Sequence, residues 1–381
     1  MTKLIMLQSF CFTRTVALTL FVLINCCTAA SAQANVLPQT AEDYLKNGNY
    51  FFDRGDYVKA ISNYTQSIKL NPKAEGAYYN RASAYKAMGN LDQALSDFTQ
   101  AVTINSNLAE GFYNRAIVYA AKGKEDLAIE DFTKAITLNP YLTEAYDNRG
   151  VAYKDKGNYE QAIKDFTKAI ALDANLASAF NNRGSTYYLM KRYERAIEDF
   201  TRAIIINPNL VKAYNNRGLA HYDKGDYESA INDYTQALKL NPKATDAYFF
   251  RGSAYFAKND YENAIRDLTV AADSNLTDST EAFYIRGICY LAKKDYDLAI
   301  KDFTKVIALD PKDARAFNNR GVAFFRKGEK EKAISDYTQA IMLNPIYATA
   351  YKNRAVIYKQ LGKTDLASID ERKVKELSEP K

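Results

Sequence analysis

Tryptophan is absent from this chain of 381 residues, and histidine occurs once, as His221. A single imidazole excludes a His-rich metal set, and His221, at a position that is tyrosine in most units, reads as a packing substitute; no Cys–His pair, Ser–His–Asp arrangement or glycine-rich phosphate loop appears in the sequence pattern. Neither an enzyme nor a cofactor is therefore expected. The 4 cysteines do not make a disulfide framework. Cys11, Cys26 and Cys27 fall in the first 32 residues, and Cys289, beside Tyr290 in a helical stretch, reads as a small packing residue. A dominant charge is lacking as well, with 51 bases against 45 acids. That balance is too even to argue for nucleic acid or anionic lipid.

Residues 1–32 differ in composition from the rest. Lys3 and Arg14 precede the apolar run Val16 to Ile24, and a small-residue stretch ends in Ala30-Ser31-Ala32. This is the charged, apolar, A-x-A order of a secretory signal peptide. The run is well short of the roughly 20 residues that span a bilayer. Cleavage after Ala32 would leave an exported chain, periplasmic or secreted, with 49 bases and 45 acids. The competing readings are an uncleaved anchor and a chain lipidated at Cys26 or Cys27, although Asn25 is a poor residue before a lipidated cysteine. Membrane contact is expected only in those two cases. Residues 33–40 read as a flexible leader.

What is present in abundance is repetition. From Ala41 to Leu377 one pattern recurs every 34 residues in ten units, starting at Ala41, Glu75, Ala109, Thr143, Ala177, Val211, Thr245, Thr280, Ala314 and Ala348. One extra residue falls between the seventh and eighth units, near Asp273 to Ser279. Each unit holds two amphipathic helical patterns. In the fourth, Tyr146, Gly150 and Tyr153 share one helix face, and Ala162, Ile163, Phe166, Ala169 and Ile170 make an apolar stripe. Gly157 marks the turn between them, and Asn139-Pro140, Asn207-Pro208 and Asn241-Pro242 end second helices. Small residues at the eighth position (Ala82, Ala116, Gly150, Gly184, Gly218, Gly252) allow close approach, with large aromatics at the eleventh and twenty-fourth positions beside them.

This pattern resembles the tetratricopeptide repeat family, with its 34-residue period, small residues at the eighth, twentieth and twenty-seventh positions and proline near the end. The resemblance implies an all-α fold, an α-solenoid of about ten antiparallel helix pairs wound into a right-handed superhelix with a concave groove. The array is assigned to 41–362 and a terminal capping helix and tail to 363–381. There Glu371 and Lys375 stand where earlier units carry aromatic and aliphatic residues, as a solenoid end facing water requires.

Two charges repeat. Arginine holds the seventh position of nine units, Arg81 through Arg354, and aspartate the twenty-third position of the same nine, Asp97 through Asp370. The first unit has Asn47 and Asn63 at both places. Joint loss favours an Arg–Asp pair within each unit over a basic ladder for phosphate or carboxylate.

Asparagine holds the sixth position of seven units: Asn80, Asn114, Asn148, Asn182, Asn216, Asn319 and Asn353. It shares a helix face with the second, ninth and thirteenth positions, so the groove is its expected side. Asparagine is a poor interior helix residue, and its repetition asks for a reason. One reason is a row of amides that holds an extended polypeptide by its backbone, a use the family resemblance supports. The other is inheritance with the consensus, or a bond to a neighbouring helix. Phe250 and Ile285 interrupt the row, with Phe249, Phe256, Tyr284 and Leu291 around them. Either drift loosened these units or they form an apolar pocket for one ligand side chain.

The function read from these features is a protein-interaction scaffold that binds extended segments of protein or peptide partners in its groove, with envelope assembly as a setting. No nucleic acid and no small-molecule substrate is expected. The alternatives are an adaptor docking folded partners by its convex face or helix edges, and a secreted host-directed factor.

Overall fold

A computed structural model describes residues 40–273 and 279–378. Among the described residues there are twenty α-helices and no strand. They alternate as first and second helices of ten units, from α1 (Ala41–Asp53) and α2 (Tyr57–Leu70) to α19 (Ala348–Gln360) and α20 (Thr364–Ser378). First helices begin at the expected unit starts except in the eighth, where the helix Ser279–Lys293 begins one residue early. The proposed signal peptide and nearly all of the leader lie outside the described residues, as do 274–278 at the extra residue. Among the described residues no helix is long and apolar enough to cross a membrane.

Each helix packs on its chain neighbours, which makes the chain an α-solenoid. First helices of consecutive units also touch one another from α1 through the ninth unit's Ala314–Arg326, while consecutive second helices make no comparable contact. A curved stack is shorter on its inner side. The first helices therefore line the concave face.

Small and large residues interlock inside each unit. A Cβ on Gly150 would meet the Phe166 ring at 2.6 Å, and one on Gly321 would meet Tyr337 at 2.8 Å. The ring at the twenty-fourth position is almost fully buried in every unit that carries one. Each contributes about 1.5–3 kcal/mol of apolar burial. Turns follow the same economy of residue type. Gly157 takes φ +80° between the two helices of its unit, a conformation that costs most other residues roughly 1–2 kcal/mol. At the unit ends, the side chain of Asn139 accepts the backbone N–H of Tyr141 at 3.1 Å, and Asn71, Asn207 and Asn241 make the same turn-forming bond two residues on.

The repeated arginine does more than pair within its unit. In the fifth unit Arg183 Nε donates to Asp199 Oδ2 and Nη2 to Oδ1, both at 2.8 Å. Its remaining Nη1 donates to the Thr167 hydroxyl of the preceding unit at 3.0 Å. The same three bonds recur at all nine arginines, with the threonine bond between 2.8 and 3.4 Å. The aspartates are only 1–6 % exposed. Each guanidinium also lies 5.2–5.9 Å from the aromatic ring at the fourth position of its own helix. These arginines are structural, and the groove has no basic ladder made of them. In the first unit, Asn47 Nδ2 donates to Asn63 Oδ1 at 3.0 Å, an uncharged pair in the same place.

Replacing Asp199 by Leu should destabilise the chain by roughly 3–5 kcal/mol, because Arg183 is left largely buried without its anion. The double change Arg183→Met and Asp199→Leu should recover most of that loss. Urea unfolding of the three proteins, followed by circular dichroism, checks this order.

Candidate functional site in the groove

The seven asparagines are half-buried on the concave helices, and each is tied to the unit before it. Asn148 Nδ2 donates to the Tyr113 hydroxyl at 3.0 Å, Asn182 to Asp147 Oδ1 at 3.0 Å, and Asn216 to Asn181 Oδ1 at 3.0 Å. Asn114 reaches the Tyr79 hydroxyl at 2.9 Å, Asn319 the Tyr284 hydroxyl at 3.0 Å, and Asn353 Asn318 Oδ1 at 3.0 Å. In these six the acceptor sits at the fifth position of the preceding unit. For Asn80 it is Asn49 Oδ1, at the ninth position, at 2.8 Å. The bond to a neighbouring helix is thus real at every rung.

It does not exhaust the side chain. A primary amide has two N–H donors and a carbonyl acceptor. Asn80, Asn148, Asn182 and Asn353 each use one donor only, which leaves one donor and one acceptor without a partner among the described residues. Asn216 makes a second donation, to the Ser185 hydroxyl at 3.3 Å, and keeps its carbonyl. Asn319 accepts from Asn318 at 3.1 Å. Asn114 is fully engaged, because it also donates to the Glu110 carbonyl at 2.9 Å and accepts Lys86 Nζ at 2.6 Å. The row runs from Asn80 to Asn216, resumes at Asn319 and Asn353, and is uneven in free bonding capacity.

The interruption has a matching geometry. Phe250 stacks on Tyr234 of the preceding unit, with centroids 5.8 Å apart and planes at 20°, and meets Phe249 edge-on. Ile285 packs on the seventh unit's core together with Phe249 and Phe256. Apolar side chains here lean back on the preceding unit just as the asparagines do. Two polar atoms are stranded beside the change. Asn215, at the fifth position before Phe250, has its Oδ1 buried and without a partner, and so does the Tyr234 hydroxyl.

Burial also shifts ionisation along this face. It pulls the Lys86 ammonium down from its ordinary value. It pushes the Asp147 carboxyl up, against bonds from Asn182 and Ser178 that favour the charged form. Among the described residues no group of three or more His, Cys, Asp or Glu is placed to hold a metal ion. Cys289 is buried, and burial pushes its thiol up to about 12, which suits packing rather than reactivity.

Profiles of the tetratricopeptide repeat family match residues 76–108, 109–142, 177–210, 280–313 and 314–347, and further repeat profiles match 48–89, 152–191 and 215–277. The chain belongs to the tetratricopeptide repeat family. A crystal structure of a tetratricopeptide repeat protein from Parabacteroides merdae aligns with a TM-score of 0.52 at 22% identity, covering 66% of this chain and 99% of that one. Hsp70-Hsp90 organizing protein 1 of Arabidopsis thaliana is 42% identical over 48 residues, or 13% of this chain. The protein of the same name from Glycine max matches to the same extent. The matched stretch spans 8% of the length of these curated relatives. Membership in this family makes the chain a protein–protein interaction scaffold in the broad sense.

His221 lies at the eleventh position, half-buried, with Nδ1 3.3 Å from Asp226. Burial draws its pKa below 6.5 and outweighs the opposite pull of Asp233 and Asp226. The unfolded chain therefore binds this proton more readily than the native one, and the native state loses stability as pH falls below 6.5. His221→Tyr, which restores the residue of most units, should lack this component. Melting temperatures of the two proteins should diverge on acidification, with the wild type falling further.

Proposed function

We propose that the concave face holds extended polypeptide segments of partner proteins by their backbone. The observation that carries this reading is the half-used amide. One N–H of Asn80, Asn148 and Asn182 fixes the side chain to the preceding unit. The free N–H and carbonyl are the complement of one peptide group, already oriented before a ligand arrives. Backbone contacts of this kind accept many sequences. Selectivity falls to the stretch around Phe250 and Ile285, whose apolar side chains suit one or more apolar ligand residues. A signal peptide at 1–32 would put this activity outside the cytoplasm, in a periplasm or the cell exterior, where envelope assembly is a fitting role.

The triple change Asn80→Ala, Asn148→Ala and Asn182→Ala should abolish binding of peptides selected from a random displayed library on the wild-type protein, with helicity by circular dichroism intact. Phe250→Ala with Ile285→Ala should change which peptides are selected while leaving binding as such in place. Undiminished binding by the triple variant would instead favour docking on the convex face or the helix edges.

A further inference from the structure

One carboxylate on the groove face stands apart from the pairing seen elsewhere. Asp223 occupies the thirteenth position of the sixth unit, seven residues and two turns beyond Asn216, and so lies on the same helix face. It is exposed. Its Oδ2 accepts the hydroxyl of Tyr188, from the preceding unit, at 2.6 Å. Its Oδ1 has no partner among the described residues.

Tyrosines surround it. Tyr188 packs against Tyr193 with centroids 5.7 Å apart, and Tyr222, next to Asp223 in the chain, packs against Tyr227 at 5.3 Å. Both pairs join the end of a first helix to the start of a second one, in two adjacent units, and all four rings are half-buried. The fully buried Tyr234 hydroxyl lies without a partner in the same unit. Asp223 adds to burial in raising the hydroxyls of Tyr188, Tyr193, Tyr222 and Tyr234, so its charge reaches all four. No other unit puts tyrosine at both the twelfth and seventeenth positions.

Among the described residues no cation is paired with Asp223, Lys191 and Arg192 of the turn between Tyr188 and Tyr193 included. Lys224 Nζ pairs with Glu194 at 2.9 Å, Lys258 pairs with Glu228, and His221 faces Asp226. What remains is a carboxylate with a free oxygen, bonded to one tyrosine of two neighbouring ring pairs and not paired with a base. Ring faces attract cations through their quadrupole, and a carboxylate adds direct charge.

We infer that Asp223, with Tyr188, Tyr193, Tyr222 and Tyr227, receives the basic side chain, arginine or lysine, of the bound polypeptide. This rests on the groove reading above and adds to it a charge that the ligand must carry. An arginine guanidinium could donate to Asp223 Oδ1 while its plane lies along a tyrosine ring.

The test is an NMR titration of the full chain carrying ring-labelled tyrosine, with N-acetyl-arginine amide as probe and N-acetyl-citrulline amide as its uncharged counterpart. Tyr188→Phe and Tyr222→Phe assign the signals. The arginine probe should move the Tyr188 and Tyr222 rings and the citrulline probe should not. Asp223→Asn, an exposed and near-isosteric change, should weaken the response about tenfold, the scale of one charge contact with aromatic support. Tyr222→Leu should weaken it too, with helicity retained. Equal response to both probes, or a response unchanged in Asp223→Asn, would overturn the inference. The probe has no extended backbone, so Asn148→Ala with Asn182→Ala should leave its binding intact. A silent titration thus rejects the cation site alone, whereas loss of peptide binding in the asparagine variants speaks to the groove.

Discussion

The contact on which the rest of this solenoid depends is the arginine that bonds two units at once. Its fork matches the aspartate of its own unit, and its spare nitrogen finds the threonine of the unit before it. Burying an aspartate is costly unless it is fully bonded, and the bidentate geometry meets that demand. The threonine bond then makes one unit's charge pair incomplete without its neighbour. That is nearest-neighbour coupling of the kind that makes a repeat array cooperative. It even survives the extra residue between the seventh and eighth units, where Arg286 still reaches Thr269 at 3.1 Å across a sequence separation of 17 rather than 16.

Fixing each unit against the last also fixes the spacing of the groove face. First helices approach one another closely enough for Asn182 to reach Asp147, and for the same bond to recur unit after unit. The structural and candidate binding roles of these asparagines are therefore not rivals. A side chain anchored by one N–H is better placed to present the other than a free one would be, because its rotamer freedom is already lost. Asn114 shows the limit of the argument: Lys86 and Glu110 take what the anchor leaves, and the rung is closed from within the protein.

Much of this was legible from the residues. The period gave the helix pairs and their boundaries, and Asn47 with Asn63 in the first unit foretold the arginine–aspartate pairing. The threonine at the twenty-fifth position carried a signal that went unread. It is present in the first nine units and replaced by Arg372 in the tenth, the reverse of the arginine, which is missing only from the first. A residue absent at one end whose partner is absent at the other marks a bond between units. The acceptors for the asparagines were similarly available. Tyr79, Tyr113, Asp147, Asn181, Tyr284 and Asn318 each precede an asparagine rung, whereas Phe249 precedes Ile285. What spacing could not give is the difference among rungs, since the competing bonds of Asn114 and Asn216 come from side-chain reach rather than from register.

Two units break that correspondence: Leu45 precedes Asn80, which bonds Asn49 instead, and the second break is instructive. Asn215 is an acceptor followed by Phe250 rather than by asparagine, and its carbonyl is left buried and unbonded. An orphaned buried acceptor is destabilising by about 1–3 kcal/mol, so the substitution at Phe250 is not neutral for the fold. Stacking of Phe250 on Tyr234 offsets part of that loss. The same Tyr234 lies under the field of Asp223 and carries the second orphaned polar atom, its hydroxyl. The sixth unit is thus where the polar row gives way to the aromatic stretch, and where two buried polar atoms are left without partners. Under the proposed reading, a segment held by Asn182 would pass Asp223 and its tyrosines before Phe250, so a basic and an apolar side chain on neighbouring stretches of the ligand are what that reading requires.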